Sequence, residues 1–156
     1  MVLLDRLLER LSVDVDPFAV CSVSSGWSLE LPGPPDVMLH FVLEGSGTLR
    51  LADGEEMPLH PYTLAVVPHG VAHSLVCGTD RAAEQTTQSA SSNRAGEGDD
   101  LARFVAGSLE ETEFRVACGL IRVTYGDTLA LFRYLPRTMV VDLSGFPQVR
   151  AAFEGI

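Results

Sequence analysis

Apolar and polar residues alternate with a period of two through most of this chain, which is the pattern of strands with one buried face. The most regular run covers residues 114–125, where Phe114, Val116 and Cys118 would share one face of a strand. Residues 18–23 alternate in the same way. Short alternating runs that turn residues interrupt at intervals of roughly eight to twelve positions predict a β-sandwich or β-barrel.

Turn residues divide the middle of the chain into strands. Residues 37–43 and 48–51 are predicted to pair as a hairpin across the Gly-rich turn at 44–47. Asp53-Gly54 is a strong signal for a second hairpin, because glycine tolerates the positive φ that tight hairpin turns require. Both hairpins would belong to one continuous β-structure.

Residues 60–73, HPYTLAVVPHGVAH, contain a further turn. Pro68 presets the backbone at the entrance to that turn, and Gly70 supplies a conformation that other residues avoid. The segment therefore predicts a strand, a Pro-X-Gly turn and a second strand. His69 and His73 would lie on either side of the bend.

The two ends of the chain depart from the strand pattern. Residues 128–135 predict a helical turn, residues 138–143 a last strand, and residues 148–156 the start of a truncated C-terminal helix. We therefore expect residues 1–156 to form a single domain and the native polypeptide to continue beyond it. Near the N-terminus, leucines at helical spacing predict an amphipathic helix that ends by residues 13–17. These leucines are Leu3, Leu4, Leu7, Leu8 and Leu11.

Residues 78–100 have a different composition from the rest of the chain. They contain almost no large apolar side chain and are rich in Ser, Thr and Gln. Such a segment buries too little apolar surface to offset the entropy of ordering it, which predicts a mobile loop. Because loop-closure entropy grows slowly with length, a loop of this size is compatible with a compact domain.

Composition and charge exclude several classes of function. The chain has a formal net charge of −10 and is 46% hydrophobic, so we expect a folded protein that does not itself bind nucleic acid, since that affinity comes mostly from Lys and Arg on phosphates. It contains neither a long apolar run nor a signal-peptide pattern, which predicts a cytoplasmic protein with no membrane association. Three cysteines in such a protein are expected to be thiols rather than a disulfide framework.

Two short motifs occur in the order of a known signature. The segment VLEGSG at residues 42–47 resembles the turn that closes its first half, and Pro68, Gly70 and His73 form its second half, Pro-X-Gly-X-X-His. Together with further landmarks, these motifs make the chain from Leu3 to Ile156 resemble the cupin-type N-terminal sensor domain of AraC-family transcription regulators. The further landmarks are Gly26-Trp27, His40-Phe41, residues 59–64, Ala117-Cys118-Gly119 and Leu135-Pro136.

The resemblance implies a mainly β fold, a cupin-like double-stranded β-helix (a jelly-roll barrel) with short flanking α-helices. It also implies a domain that senses a small-molecule or oxidant effector, forms a homodimer, and passes its response through a helical linker to two helix-turn-helix motifs. Those motifs are absent from this sequence. A DNA-binding module would therefore lie beyond residue 156, or be absent, and this domain would contact DNA only through such a module.

Two departures from the cupin pattern affect the interpretation. Tyr62 stands where the pattern usually has glycine. The His-X-His and Glu positions of enzymatic cupins fall on Pro32, Pro34 and Met38, none of which can bind a metal. The usual metal site is therefore missing, and we expect a protein without enzymatic activity. A metal-dependent small cupin enzyme remains an alternative.

Cysteines and histidines are the residues with the most candidate chemistry. Cys21 and Cys118 resemble cysteine positions of oxidant-responsive members of the family, and a thiol beside His40 or His73 would react faster with oxidants or metals. No cofactor is certain, but Cys21, Cys118 and His73, with His69 or His40 as a fourth ligand, could hold Zn²⁺ or another soft transition metal. The alternative is that both cysteines are small core residues and that His73 is structural.

These expectations combine into one functional hypothesis. The chain would be the effector- or redox-sensing and dimerisation domain of an AraC-type transcriptional regulator, with the signal sensed inside the β-barrel. A free-standing metal or thiol redox sensor that acts through a protein partner is the other alternative.

Overall fold

Two β-sheets packed face to face make up most of the protein. The computed structural model describes residues 2–15, 19–78, 86–89, 102–126 and 129–153. Two short helices lie at the ends, α1 (Val2–Leu8) and α2 (Pro147–Phe153). The strands are β1 (Leu11–Val15), β2 (Ala19–Ser24), β3 (Trp27–Leu31), β4 (Val37–Glu44), β5 (Gly47–Leu51), β6 (Glu56–Leu59), β7 (Thr63–Val67), β8 (His73–Val76), β9 (Thr86–Ser89), β10 (Ala102–Ala106), β11 (Thr112–Tyr125), β12 (Leu129–Ala130) and β13 (Met139–Asp142).

The sheets have different sizes. The large sheet has the order β10-β2-β11-β4-β7-β13, and β1 and β12 also pair with the long strand β11. The small sheet has the order β6-β5-β8-β3-β9. Most neighbouring strands are antiparallel, whereas β10 runs parallel to β2 and β9 runs parallel to β3. The β-sandwich predicted from the alternating pattern is therefore confirmed.

The core lies between the inner faces of the two sheets. Leu29, Leu75 and Leu49 stand side by side on β3, β8 and β5, and all three are fully buried. Phe114 and Val116 face them from β11 and are also fully buried. Burying each side chain of this size contributes about 1.5–3 kcal/mol, so this shared interior holds the two sheets together.

One predicted hairpin is wrong. Strands β4 and β5 flank the turn at residues 44–47 as expected, but β4 belongs to the large sheet and β5 to the small one. The turn crosses the edge of the sandwich, with Gly45 at φ +73° against the backbone of Glu113. Alternation identifies a strand and its buried face but not its sheet, since a crossing turn and a hairpin turn can follow the same pattern. The Asp53-Gly54 hairpin is confirmed, with β5 paired to β6.

The N-terminal helix is shorter than predicted. It ends at Leu8, and the segment from Leu11 is strand β1, which pairs with β11 so that Val13 stands opposite Val123. The leucine spacing continued to Leu11 and concealed the alternation of the next residues. Pairing with a long strand supplied the hydrogen bonds that favour an extended backbone.

The predicted loop at residues 78–100 contains a strand. Thr86–Ser89 forms β9 beside β3, so this part of the prediction is wrong. Two consecutive threonines are β-branched and suit an extended backbone, and the edge of β3 supplies hydrogen-bond partners. Residues 79–85 and 90–100 lie outside the described part of the chain.

The C-terminal elements follow the predictions closely. A 3-10 helix at Leu131–Tyr134 supplies the predicted helical turn, although the two-residue strand β12 precedes it. The last strand is β13, and the final helix is α2. No helix in the described residues is long and apolar enough to cross a lipid bilayer.

Candidate functional site

Four side chains form a continuous chain of contacts in the interior. His73 Nε2 lies 2.7 Å from His40 Nε2, and His40 Nδ1 lies 3.0 Å from Cys118 Sγ. Cys118 Sγ in turn lies 2.8 Å from Cys21 Sγ. His40 and Cys21 are fully buried, while Cys118 and His73 are each 4% exposed. We call this set of four residues the Cys–His chain.

Strand register accounts for these contacts. His40 on β4 stands directly opposite Cys118 on β11, so the imidazole and the thiol meet on the inner face of the large sheet. Cys21 on β2 stands opposite Val116, which makes it the diagonal neighbour of Cys118 on the same face. His73 begins β8 in the small sheet, so the contact between the two imidazoles joins the two sheets.

Burial controls the charge of the Cys–His chain. Desolvation lowers the pKa of His40 well below its ordinary value, and the positive charge that His73 can carry lowers it further. Desolvation also lowers the pKa of His73, although the bond to the Val71 carbonyl opposes this effect. Burial raises the pKa of the Cys118 thiol well above its ordinary value, and its contact with Cys21 adds to the rise. All three groups are therefore neutral near pH 7.

The other candidate residues lie elsewhere. His69 is exposed and lines a separate surface pocket with Asp36 and Arg133, so the structure does not bring it to the two cysteines. The tight turn after Pro68 points it away from the interior, and His40 is the second imidazole instead. His60 is also exposed. Cys77 is buried at the end of β8, where burial and the negative charge of Glu113 raise the pKa of its thiol.

The donor set has the right chemistry for zinc, but its geometry is closed. Two thiols and two imidazoles make up a common Zn²⁺ ligand set. Two nitrogen ligands of one tetrahedral zinc ion would lie about 3.3 Å apart, given Zn–N bonds of about 2.0–2.1 Å. The two Nε2 atoms are 2.7 Å apart and contact each other directly. Within the described residues no group of three or more potential ligands is arranged to hold a metal ion, so binding would require the two imidazoles to separate.

A surface pocket next to His73 was not predicted from the sequence. Its volume is about 490 Å³, and it lies over the small sheet. Glu30 and Arg50 stand on either side of Ser74 in neighbouring strands and line the pocket, as does His73. The alternation of β5 and β3 placed Arg50 and Glu30 on the outer face. The sequence does not show that β3 and β5 both lie next to β8, so the pocket could not be predicted.

Tyr62 explains one departure from the sequence pattern. It adopts φ +66°, a left-handed conformation that usually requires glycine. Its N–H donates to the Val42 carbonyl and its own carbonyl accepts from Leu143 N–H. The Tyr62 ring packs edge-on against Phe41, and the Arg150 guanidinium lies 5.2 Å from its centre. These contacts offset the backbone cost and connect helix α2 to strand β4.

The protein is a two-sheet β-sandwich, and a Pro-X-Gly-X-X-His turn places a histidine in its interior. These two features are typical of one class of small β-barrel proteins. A family model described as Cupin matches residues 3–156. The chain therefore belongs to the cupin family, which confirms the predicted fold class. No curated protein matches the sequence significantly.

Proposed function

We propose that this chain is the effector- or redox-sensing domain of an AraC-type transcription regulator, with the Cys–His chain as its sensing site. The observation that carries the proposal is the direct contact between two buried thiols and two buried imidazoles in a cupin domain. Burying polar groups costs free energy unless they are paired, and an apolar core of the same volume would be at least as stable. A polar chain that spans both sheets is therefore better explained by chemistry than by packing.

The arrangement of the thiols favours redox sensing. Cys21 Sγ and Cys118 Sγ are 2.8 Å apart, and a disulfide needs about 2.05 Å. Closing this gap brings the two sulfurs of adjacent strands roughly 0.75 Å closer together. In the reaction with a hydroperoxide, the two thiols give up two electrons and two protons, the S–S bond forms, and the O–O bond breaks to give water and an alcohol, or two waters from hydrogen peroxide.

Oxidation would change the contacts of His40 as well. Cys118 loses its S–H when the disulfide forms, so His40 Nδ1 loses a donor inside the core. Tyr62 links β4, the strand of His40, to helix α2, and this helix is the element that would lead toward a DNA-binding module. The reduced and the oxidised protein would therefore differ in the contacts between the core and helix α2. A sensing domain needs such a difference in order to shift the equilibrium between two conformations.

Native mass spectrometry before and after mild hydrogen peroxide tests the proposal. We expect the protein to lose two hydrogen atoms, about 2 Da, through a disulfide between Cys21 and Cys118. The Cys77→Ser variant serves as the matched control, because this buried thiol lies outside the Cys–His chain, and it should oxidise like the wild type. The Cys118→Ser variant should form no intramolecular disulfide.

The same measurement separates the second candidate function, metal sensing. The Cys₂His₂ donor set supports it, and protein purified without chelator would then carry one Zn²⁺ that is lost in Cys21→Ser and His73→Gln. One bound metal ion per chain would thus indicate that the domain senses a metal ion and not an oxidant. Metal-free protein whose thiols survive the oxidant unchanged would contradict both forms of the proposal.

The proposal includes a homodimer, which exposed apolar residues near the C-terminus support. Strand β13 lies at one end of the large sheet, and Val141 is 45% exposed there, close in sequence to Phe146 at 55%. An exposed apolar edge strand invites pairing with a second chain. The Val141→Lys variant should weaken dimerisation by at least about tenfold in sedimentation velocity. Val13→Lys, at another exposed strand valine, is the control, and equal weakening by both variants would contradict this interface.

A further inference from the structure

The Val71 carbonyl fixes the positions of the protons in the Cys–His chain. His73 Nδ1 lies 2.8 Å from that oxygen, which can only accept, so the proton of neutral His73 is on Nδ1. His73 Nε2 is then a bare acceptor. It lies 2.7 Å from His40 Nε2, so His40 Nε2 must carry the proton that is donated between the rings.

The proton on His40 Nε2 in turn determines the direction of the contacts with the thiols. Neutral His40 with its proton on Nε2 has a bare Nδ1, which accepts from Cys118 S–H at 3.0 Å. The Val116 carbonyl also lies near Cys118 Sγ but at 3.7 Å, and it is the weaker alternative for this proton. Cys118 Sγ and Cys21 Sγ are 2.8 Å apart, and Cys118 S–H could donate to Cys21 instead. When the Cys118 proton points to His40, Cys21 S–H takes the donor role in this contact. Every proton in the chain points toward His73.

We propose that His40 and His73 form a proton relay that activates Cys118 as the attacking thiol, with Cys21 as the second, resolving thiol. The Cys118 proton moves to His40 Nδ1 while the His40 Nε2 proton moves to His73 Nε2. The products are a Cys118 thiolate, a neutral His40 with its proton on Nδ1, and a His73 imidazolium with protons on both nitrogens. This inference deepens the redox form of the proposed function and rests on it.

Hydrogen bonds remain at both ends of the relay for the charges that it creates, and these bonds oppose the desolvation that disfavours both charges. The thiolate on Cys118 keeps two donors, His40 Nδ1–H and Cys21 S–H. The imidazolium on His73 keeps its bond to the Val71 carbonyl and, like Glu30, lines the pocket over the small sheet. The relay thus places the positive charge on His73, which lines that pocket, while the negative charge stays on Cys118. Among the described residues no carboxylate hydrogen-bonds to either imidazole, so the two rings act without a third group.

The order of reaction with a hydroperoxide follows from this assignment. The Cys118 thiolate attacks one peroxide oxygen, the O–O bond breaks, and Cys118 becomes a sulfenic acid while the leaving oxygen takes up the relayed proton. Cys21 then attacks the sulfenic sulfur, the S–O bond breaks, and water leaves as the disulfide forms. Cys21→Ser should accumulate the sulfenic acid on Cys118, whereas Cys118→Ser should leave Cys21 unoxidised at the same dose.

Nitrogen-15 NMR of the imidazole rings tests the proton positions in the unmodified protein. We expect His73 as the Nδ1–H tautomer and His40 as the Nε2–H tautomer at pH 7.5. His73 in the Nε2–H form, or a permanently charged His40, would overturn the relay. This measurement requires no variant, so it decides the question even if substitutions in the core prevent folding.

The rate of thiol oxidation by hydrogen peroxide tests the relay's function. An internal proton transfer does not depend on hydroxide, so the wild-type rate should be nearly constant from about pH 7 to 8.5. His73→Gln can accept the hydrogen bond but cannot take up the proton. Its rate should be at least about tenfold lower at pH 7.5 and should rise about tenfold per pH unit. His69→Gln, at an exposed histidine, is the matched control and should behave like the wild type.

The outcomes separate the relay from the proposed function. If the wild type forms the disulfide and His73→Gln reacts at the same rate with the same pH profile, the relay is overturned while redox sensing stands. If the wild type forms no disulfide, redox sensing fails, and the activated thiol that the relay should supply fails with it. A slower His73→Gln together with the expected tautomers supports the relay.

Discussion

Gly45→Ala should destabilise the protein by more than about 3 kcal/mol, or prevent folding. Gly45 has φ +73°, and a Cβ atom there would overlap the Glu113 carbonyl oxygen. The left-handed backbone alone costs an alanine about 1–2 kcal/mol. The clash is with backbone of β11, so it can be relieved only by opening the pairing of β4 with β11. Urea unfolding followed by circular dichroism measures the change in the free energy of unfolding.

Gly54→Ala is the matched control for this prediction. Gly54 also has a positive φ, +93°, but a Cβ atom there would meet nothing within 4 Å. The Gly54→Ala variant should lose only the free energy that a left-handed backbone costs an alanine, about 1–2 kcal/mol. Equal losses in the two variants would show that backbone conformation, and not the close approach of β11, sets the requirement for Gly45.

Acid should destabilise the protein steeply below about pH 6.5, the pKa of an unfolded histidine. Because the folded pKa values of His40 and His73 are lowered, the unfolded chain binds protons that the folded chain does not. The contribution of the two neutral imidazoles to the free energy of unfolding is thus complete above about pH 6.5. It is lost as the pH falls toward the pKa values of these groups in the folded protein. Each imidazole can contribute a slope of up to about 1.4 kcal/mol per pH unit. Urea unfolding at a series of pH values between 7.5 and 5 measures it.

Two histidine variants test whether the buried imidazoles cause the pH dependence of the free energy of unfolding. His73→Gln removes one of the two buried imidazoles and should reduce the slope by roughly half. His69→Gln removes an exposed imidazole and should leave the slope unchanged. A free energy of unfolding that stays constant between pH 6.5 and 5 would contradict neutral, buried histidines.

The strands were predictable because their pattern is local, whereas their partners were not. Alternation identified Phe114, Val116 and Cys118 as the inner face of one strand, and all three are buried. The same pattern could not show that the strands on either side of Gly45 enter different sheets, because that depends on contacts with β11, far away in the sequence. Strands β1 and β9 were missed for a related reason, since their extended backbone depends on strands that pair with them.

The residues of the candidate site could be chosen from the sequence, but their arrangement could not. Residue chemistry and the family signature selected Cys21, Cys118, His40 and His73, and the structure brings all four together. His69 has the same chemistry as His73 and lies four residues away, yet the turn after Pro68 leaves it in solvent. The direction of the protons depends on one carbonyl, that of Val71, and no residue type in the sequence indicates which atom an imidazole will meet.

The crossing turns have a consequence for how this domain acquires its structure. Because β4 and β5 enter different sheets, as do β7 and β8, the large sheet is built mainly from strands distant in the sequence. Strand β11 pairs with β1, β2, β4 and β12, and it begins only at Thr112 of the 156 residues. Non-local pairing of this kind slows folding, because the entropy of closing long loops is lost before the stabilising contacts form. During synthesis, the large sheet cannot form until β11 has left the ribosome, and until then Cys21 and His40 have no Cys118 to contact.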